Sequence, residues 1–202
     1  MTTGNQITGA GFPRVEWWFT TSWRRLLTIC CLVAVLTAPT HGAETPSKEY
    51  QYKAAFIYNF TKFVDWPTNR FATKDQPLTI GVLGKNPFGD VLVKVVEGRT
   101  VNGRTYVVKV LTSVREAAQV DLLFVPQGQE KLLADQLPVL QGAGVLTVGE
   151  SDAFAKLGGT INFFITEADQ LRFEINLDEA ERGGLKIRAQ LLKLAKIVGR
   201  KS

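Results

Sequence analysis

The sequence is poor in the residues that most often carry out chemistry. Its 202 residues include one histidine, two cysteines and one methionine. Cys30 and Cys31 lie in an apolar run near the N-terminus, and His41 closely follows that run. If this segment is removed from the mature protein, no Cys or His remains. Structural disulfides, thiol nucleophiles, Ser-His-Asp triads and Cys/His zinc sites are then excluded together.

A strong charge of either sign and a long hydrophobic run are also missing. The 24 Lys+Arg residues oppose 19 Asp+Glu residues, and no basic cluster indicates a nucleic-acid partner. The apolar run at residues 26–38 is shorter than the ~20 residues of a membrane-spanning helix. A hydrophobic fraction of 45% and a charged fraction of 21% are typical of a globular protein. The length fits one domain preceded by a short segment.

The N-terminal segment has the pattern of a secretory signal peptide. Arg24 and Arg25 precede the apolar run, and small or polar residues follow it. We predict that residues 1–42 are a signal peptide, cleaved after Gly42 or Ala43, and that residues 43–202 form the mature domain. The alternative is an N-terminal anchor that is not cleaved.

The hydrophobic pattern of the mature chain predicts an α/β domain with a mostly parallel sheet, because strands alternate with helices. A C-terminal antiparallel hairpin follows the last predicted parallel strand. The predicted strands are 78–84, 105–111, 120–126 and 145–150, with the hairpin at 161–166 and 170–177. The predicted helices are 49–64, 89–97, 113–118, 128–137 (ended by Pro138), 152–159 and 185–198, with a capping box from Asp178 to Glu181.

The hairpin offers a candidate partner-binding surface. Strand alternation places Phe164 on one face of the first strand, and Arg172, Glu174 and Asn176 on the polar face of the second. An aromatic ring, an arginine and a carboxylate together suit a protein contact. The alternative is an edge hairpin that the final helix covers.

A second candidate is a small-molecule pocket beyond the C-terminal ends of the parallel strands. Gly84 and Phe88 lie in the turn after the first of these strands, and Trp66 ends an aromatic-rich helix. The turn matches neither a G-x-G-x-x-G motif nor a P-loop, and a purely structural turn is the alternative. No catalytic constellation is present, so we expect no catalytic residues, no metal and no cofactor.

Several segments resemble the YfiR family of periplasmic proteins. They are EYQYKAAFIYNFTKFVDWP at 49–67, GVLGKNPFGD at 81–90, GRTVNGRTYVV at 98–108, VLTVGESDAFAKLGG at 145–159 and RFEINLDEAERGGLKIRAQLLKLAKIV at 172–198. The resemblance implies a single Rossmann-like, three-layer domain without catalytic residues. It also implies a homodimeric periplasmic repressor that binds the sensor domain of an inner-membrane diguanylate cyclase or other sensor. An outer-membrane lipoprotein is a further implied partner.

One departure from the family pattern concerns redox control. The repressor type carries disulfides, whereas the predicted mature chain has no cysteine. Disulfide-based control is therefore not expected here. Our first hypothesis is that the protein is a non-enzymatic regulator of cyclic-di-GMP signalling and biofilm formation. A periplasmic small-molecule binding protein is the alternative.

Overall fold

The computed structural model describes residues 46–199. The predicted signal peptide and its two candidate cleavage positions lie outside the described residues. The strands are β1 (Val64–Asp65), β2 (Leu78–Leu83), β3 (Tyr106–Leu111), β4 (Leu122–Val125), β5 (Leu146–Gly149), β6 (Ile161–Ile165), β7 (Leu171–Asn176), β8 (Lys186–Ile187) and β9 (Lys196–Val198). The α-helices are α1 (Lys48–Phe63), α2 (Val91–Val96), α3 (Glu130–Leu133), α4 (Leu137–Gly142), α5 (Leu177–Arg182) and α6 (Ala189–Leu192).

Seven strands form one sheet in the order β3-β2-β4-β5-β6-β7-β9. Strands β3, β2, β4, β5 and β6 are mutually parallel, and β7 runs antiparallel to β6. Strand β9 lies parallel to β7, on its other side. A separate two-stranded sheet joins β1 to β8. The predicted mostly parallel α/β architecture with an antiparallel hairpin is confirmed.

Apolar side chains cover the central strands on both faces. On what we call the first face, α1 and α2 contribute Ile57, Phe60 and Leu92 to one core. On the second face, the 3-10 helix at 114–119 and helices α3 and α4 contribute Ala117 and Leu137 to another. Strands β4 and β5 are buried along their whole length, which explains their nearly continuous hydrophobic sequence. This arrangement is a three-layer Rossmann-like domain.

The predicted helix at 152–159 is wrong. The segment forms successive turns that bring the ring of Phe154 between Gly149 and Gly159. A Cβ atom at these glycines would lie 2.3 and 2.1 Å from ring atoms of Phe154, so only glycine fits at both positions. The Phe154 ring therefore enters the second-face core from a loop, and its burial does not indicate a helix.

The predicted helix at 185–198 is also wrong. Its residues form β8, the short helix α6 and β9, so only four of them are α-helical. Ile187 and Leu191 reach the first-face core from β8 and from α6, so their burial does not require one continuous helix. Leu194, which the helical spacing placed on the apolar side, is 61% exposed. The backbone of this segment pairs with β1 and β7 instead. The Arg188 guanidinium binds Asp65 at 2.7 Å and holds the pKa of that carboxyl below its usual range.

Two smaller expectations about helix ends need correction. The segment predicted as one helix at 128–137 contains α3 and a 3-10 turn, and α4 then follows. Pro138 lies in the first turn of α4, where its missing N–H costs nothing, and so it begins a helix and does not end one. Asn176, and not Asp178, caps α5, because its side-chain oxygen accepts a hydrogen bond from the Glu179 amide at 3.3 Å.

A buried ion pair that the sequence pattern did not reveal fixes the amino edge of the sheet. Arg70 donates to Asp121 Oδ1 at 2.9 Å and to the carbonyl oxygens of three residues, Ala118, Val120 and Ala143. The other oxygen of Asp121 accepts a bond from the Thr79 amide at 2.8 Å. The Asp121 side chain is 3% exposed, so its charge depends on Arg70 for compensation.

Replacing Arg70 with Ala is therefore expected to lower the free energy of unfolding by about 3–5 kcal/mol, because the Asp121 carboxylate is left buried without a cation. The measurement is urea denaturation followed by circular dichroism. Arg115→Ala is the matched control, since Arg115 is exposed, and it is expected to change stability by less than about 0.5 kcal/mol. Similar losses in the two variants would contradict the structural role of Arg70.

Candidate functional site

The strand register brings together most of the residues predicted for partner binding. Phe164 lies directly opposite Arg172 in the hairpin, and Asn162 lies opposite Glu174. Directly opposed residues point to the same side of a sheet, so Phe164, Arg172 and Glu174 share the second face. Arg172 is exposed and Phe164 is half-buried.

Strand β9 adds a fourth residue to this group. Lys196 Nζ lies 3.5 Å from Glu174 Oε2 and 5.7 Å from the centre of the Phe164 ring. We call the set Phe164, Arg172, Glu174 and Lys196 the hairpin face. The alternative in which a final helix covers the hairpin is wrong, because the chain places a strand beside β7. A groove of about 650 Å³, lined in part by Glu174 and Lys196, opens on this side of the sheet.

Asn176, the fourth predicted contact residue, has a structural position. It is 8% exposed, and its amide nitrogen donates to the Ala155 carbonyl at 3.2 Å while its oxygen caps α5. Its backbone also pairs with Val198 of β9. Asn176 thus lies on the predicted face and lines the same groove as Glu174, but its side chain is buried and joins the elements around the groove.

The three residues predicted for ligand binding do not form one site. Trp66 Nε1 donates to the Asp121 carbonyl at 3.2 Å, just before β4 begins. Trp66 therefore lies at the amino edge of the sheet, whereas Gly84 follows β2 at the carboxyl edge. Phe88 is fully buried between Tyr50 and Phe124, with ring centroids 5.4 and 4.7 Å away. Phe88 is part of the core, and its ring is not available to a ligand.

The turn that begins at Gly84 nevertheless borders a cleft. Strand order reverses between β2 and β4, and open α/β sheets bind ligands at the carboxyl ends of such strands. A cleft of about 560 Å³ lies at this point. Its lining includes Tyr50, Lys85, Asn86, Gln127 and Glu150. Gly84 adopts a φ of 71°, which lets the chain turn sharply away from the sheet to form one wall.

A buried ion pair lies beside this switch-point cleft, and its carboxylate, Glu150, is part of the cleft lining. Lys53 Nζ lies 2.5 Å from Glu150 Oε2, and both side chains are about 5% exposed or less. The other oxygen of Glu150 accepts bonds from the Tyr50 hydroxyl and the Gln127 amide, each at 3.0 Å. Burial and the Glu150 charge raise the pKa of the Tyr50 hydroxyl well above its usual range. Tyr50 is therefore a hydrogen-bond donor and not a general base.

Sequence spacing gave no signal for this cluster, since Lys53 and Glu150 are 97 positions apart. Both oxygens of Glu150 already have partners, and Lys53 also forms an ion pair with the partly exposed carboxylate of Glu49. Within residues 46–199 no group of three or more His, Cys, Asp or Glu side chains is arranged to hold a metal ion. Across the same residues, no helix has the length and apolar character required to cross a membrane.

A double-mutant cycle of Lys53→Met and Glu150→Gln is expected to give a coupling free energy of about 1–3 kcal/mol, because the pair is buried and hydrogen-bonded. The cycle of Lys94→Met and Asp90→Asn is the matched control. That pair has a similar separation of 2.5 Å, but its side chains are 68% and 64% exposed, so about 0.3–0.5 kcal/mol is expected. Equal coupling energies in urea denaturation would show that the Lys53–Glu150 pair is not specially stabilising.

Comparison with solved structures returns matches of low identity. One is the ABC domain in complex with L-Trp from Streptococcus pneumoniae, with 19% identity, a TM-score of 0.41 and coverage of 74% of this chain. Another is a conserved domain protein from Vibrio cholerae O1 biovar El Tor, with 12% identity, a TM-score of 0.47 and coverage of 75%. The chain spans about 60% of the length of each. No curated protein matches significantly in sequence.

Comparison with family models gives a match over most of the described residues. The YfiR/HmsC-like model matches residues 50–196, which include most of the switch-point cleft, the whole hairpin and the first residue of β9. This agrees with the resemblance found in the sequence. The chain belongs to the YfiR/HmsC-like family.

Proposed function

We propose that this protein is a periplasmic, non-enzymatic regulator that binds the periplasmic domain of an inner-membrane sensor and holds it inactive. A diguanylate cyclase is the proposed target, because YfiR/HmsC-like membership supports a regulatory role in cyclic-di-GMP signalling. The proposal includes export by the N-terminal signal, a homodimer, and an outer-membrane lipoprotein as a competing partner. Control of biofilm formation would follow from cyclase repression.

The observation that carries this proposal is the hairpin face, on which Arg172 and Lys196 are exposed while Phe164 and Glu174 are partly buried beside them. Its four residues combine an aromatic ring, two cations and a carboxylate on regular strands, which hold their positions better than a loop would. Arginine and aromatic residues provide much of the binding energy in protein interfaces. On the other half of the second face, helices α3 and α4 cover the sheet, so the hairpin face is where a partner can approach it.

Repression requires that the regulator bind the inactive state of its target more tightly than the active state. A population shift from 1:99 to 99:1 requires a difference in binding free energy of about 5.5 kcal/mol. A few central anchors of the type found on the hairpin face can supply a difference of this size. The proposal therefore needs no catalytic group.

Reversing the charge of Arg172 is expected to weaken partner binding at least about 10-fold, which corresponds to about 1.4 kcal/mol. Arg172→Glu is chosen because the side chain is exposed, so the fold should not change. The measurement is recovery of the target from detergent-solubilised host membranes with the tagged protein, together with cellular cyclic-di-GMP. Arg115→Glu is the control, because Arg115 is exposed on a helix that covers the same side of the sheet.

Glu174 tests the same surface in a second way. Glu174→Lys places an ammonium group beside Lys196 and should also weaken repression, and the added change Lys196→Glu should restore the ion pair. Normal binding and normal cyclic-di-GMP levels in both Arg172→Glu and Glu174→Lys would remove the hairpin face from the interface. Recovery of a kinase or transporter would keep the regulatory role and change its pathway.

The position of the switch-point cleft favours a second candidate function, the binding of a small molecule. The cleft lies where α/β sheets of this order commonly take ligands, and it offers one exposed cation, Lys85, beside amide side chains. A ligand that binds only the folded protein raises its thermal midpoint. A metabolite panel that shifts this midpoint, with the shift lost in Lys85→Ala, would support the second function. A flat panel would count against it.

A further inference from the structure

Trp66 lines a cleft at the amino edge of the sheet that neither of the two functions proposed above uses. The apolar part of its lining consists of the partly buried rings of Trp66 and Phe71 and the buried side chains of Leu78 and Val101. We call this site the tryptophan cleft. Its volume of about 290 Å³ is close to the lower end of the range of about 300–1,000 Å³ that is typical of small-molecule sites.

Phe71 is an aromatic residue that packs against neither apolar core in the part of the chain that the structure describes. Its ring centre lies 6.4 Å from that of Trp66, with an angle of 67° between the ring planes. The Arg104 guanidinium lies 3.9 Å from the Phe71 ring centre, and its Nη1 donates to the carbonyl oxygens of Thr73 and Gln76, each at 2.8 Å. Core packing therefore does not account for an aromatic residue at position 71.

The Trp66 ring is fixed at its polar edge. Its Nε1 donates to the Asp121 carbonyl at 3.2 Å, and the side chain of Asp121 is itself held by Arg70. A ring that is fixed before a ligand arrives loses less conformational entropy on binding than a mobile one. Trp66 and Phe71 together thus provide a rigid apolar surface in the cleft.

The polar part of the lining supplies both hydrogen-bond acceptors and donors. Its side chains include those of Asp65, Thr68, Asn102 and Arg104. Asp65 binds Arg188 through both carboxylate oxygens, but each oxygen has a second lone pair that can accept a further bond. Among the described residues Arg104 donates only through Nη1, so its Nε and Nη2 hydrogens remain for a ligand. Asn102 is exposed and contributes an amide group.

The charges around the tryptophan cleft favour a neutral ligand. The Asp65 carboxylate is neutralised by Arg188, at a distance of 2.7 Å between oxygen and nitrogen. Arg104 lies near Asp75, whose pKa is held below its usual range by a hydrogen bond from the Thr73 side chain and further by the charge of Arg104. A cation in the cleft would meet Arg104, and an anion would meet Asp65. Hydroxyl groups carry no charge and can pair with either.

We propose that the tryptophan cleft binds a neutral pyranose sugar, either free or as the end unit of a glycan. A pyranose ring has a face of C–H groups that can stack on the Trp66 or Phe71 ring, and hydroxyl groups around its rim. Each hydroxyl group both donates and accepts, so it suits the Asp65 carboxylate as well as Arg104 and Asn102. The volume of the cleft limits the bound part to about one sugar unit.

This sugar site does not rest on the regulatory function, and it is separate from the switch-point cleft. The tryptophan cleft lies at the amino edge of the sheet, whereas Lys85 lines the switch-point cleft at the carboxyl edge. The two small-molecule proposals can therefore be distinguished by variants of their own residues. A Lys85→Ala variant should bind sugar as the unmodified protein does.

The test is a titration of the mature protein, residues 43–202, with the methyl glycosides of glucose, galactose, mannose and N-acetylglucosamine. Calorimetry measures the affinity. Fluorescence assigns the site, because Trp66 is the single tryptophan in residues 43–202. We expect saturable binding of at least one of these sugars, with a matching change in Trp66 emission. Sorbitol, which has hydroxyl groups but no ring, is the control ligand and should not bind.

Two variants test the lining of the tryptophan cleft. Asn102→Gly should weaken sugar binding about 3- to 10-fold, because it removes the amide, and glycine tolerates the φ of 50° at this position. Phe71→Leu should weaken binding about 5- to 10-fold, because it removes an aromatic surface. Asn69→Ala is the matched control, since Asn69 is exposed on the adjacent 3-10 turn but does not line the cleft. Circular dichroism checks that each variant is folded.

Four results would overturn the proposal. The first is the absence of saturable binding with all four sugars, and the second is binding that neither Asn102→Gly nor Phe71→Leu weakens. The third is loss of sugar binding in Lys85→Ala, which would place the sugar in the switch-point cleft. The fourth is a response of Trp66 emission to choline or to indole with none to a sugar, since the cleft would then be a cation site or a general apolar site.

Discussion

Strands β4 and β5 are enclosed by apolar side chains on both faces, so a charged group near their ends requires a partner. The sheet meets this requirement once at each edge. At the amino edge, Arg70 neutralises Asp121 and bonds nearby carbonyl oxygens. At the carboxyl edge, Lys53 neutralises Glu150, and Tyr50 saturates the remaining oxygen. The Arg70–Asp121 pair fixes the loop after β1 against the sheet, and the Lys53–Glu150 pair fixes α1 against it. The position of α1 in turn determines one wall of the switch-point cleft, through Tyr50.

The strands of this fold were predictable from sequence because burial on both faces leaves a continuous apolar run, and alternate burial leaves a period of two. The hairpin shows this most clearly, since Phe173 and Ile175 point to the core while Arg172 and Glu174 do not. The juxtaposition of Phe164 with Arg172 followed from the same alternation. The sequence pattern was therefore sufficient for elements whose side-chain burial follows directly from strand alternation, as in the hairpin.

The segment after Gly184 was not predictable in this way. Apolar residues spaced for one helix also suit a strand, a short helix and another strand, and the choice depends on backbone pairing with β1 and β7. The same limit applies to the site. Lys53 and Glu150 meet only because the first turns of α1 lie at the carboxyl edge, next to the end of β5. The two residues are 97 positions apart, so no spacing in the sequence predicts their contact. Phe88 and Asn176 have surface-like sequence contexts, but tertiary packing buries them.

The aromatic contacts of α1 have a consequence for how the chain folds. The Phe60 ring packs 5.5 Å from Phe163 and 5.0 Å from Phe173, although more than 100 positions separate them. Contacts this distant in sequence form slowly, since a long loop must close before they contribute. A chain that emerges from its N-terminus onward therefore has α1 available long before the hairpin that covers it. During that interval the phenylalanines of α1 lack the β6 and β7 side chains that bury them in the folded protein, and such exposed apolar surface favours aggregation.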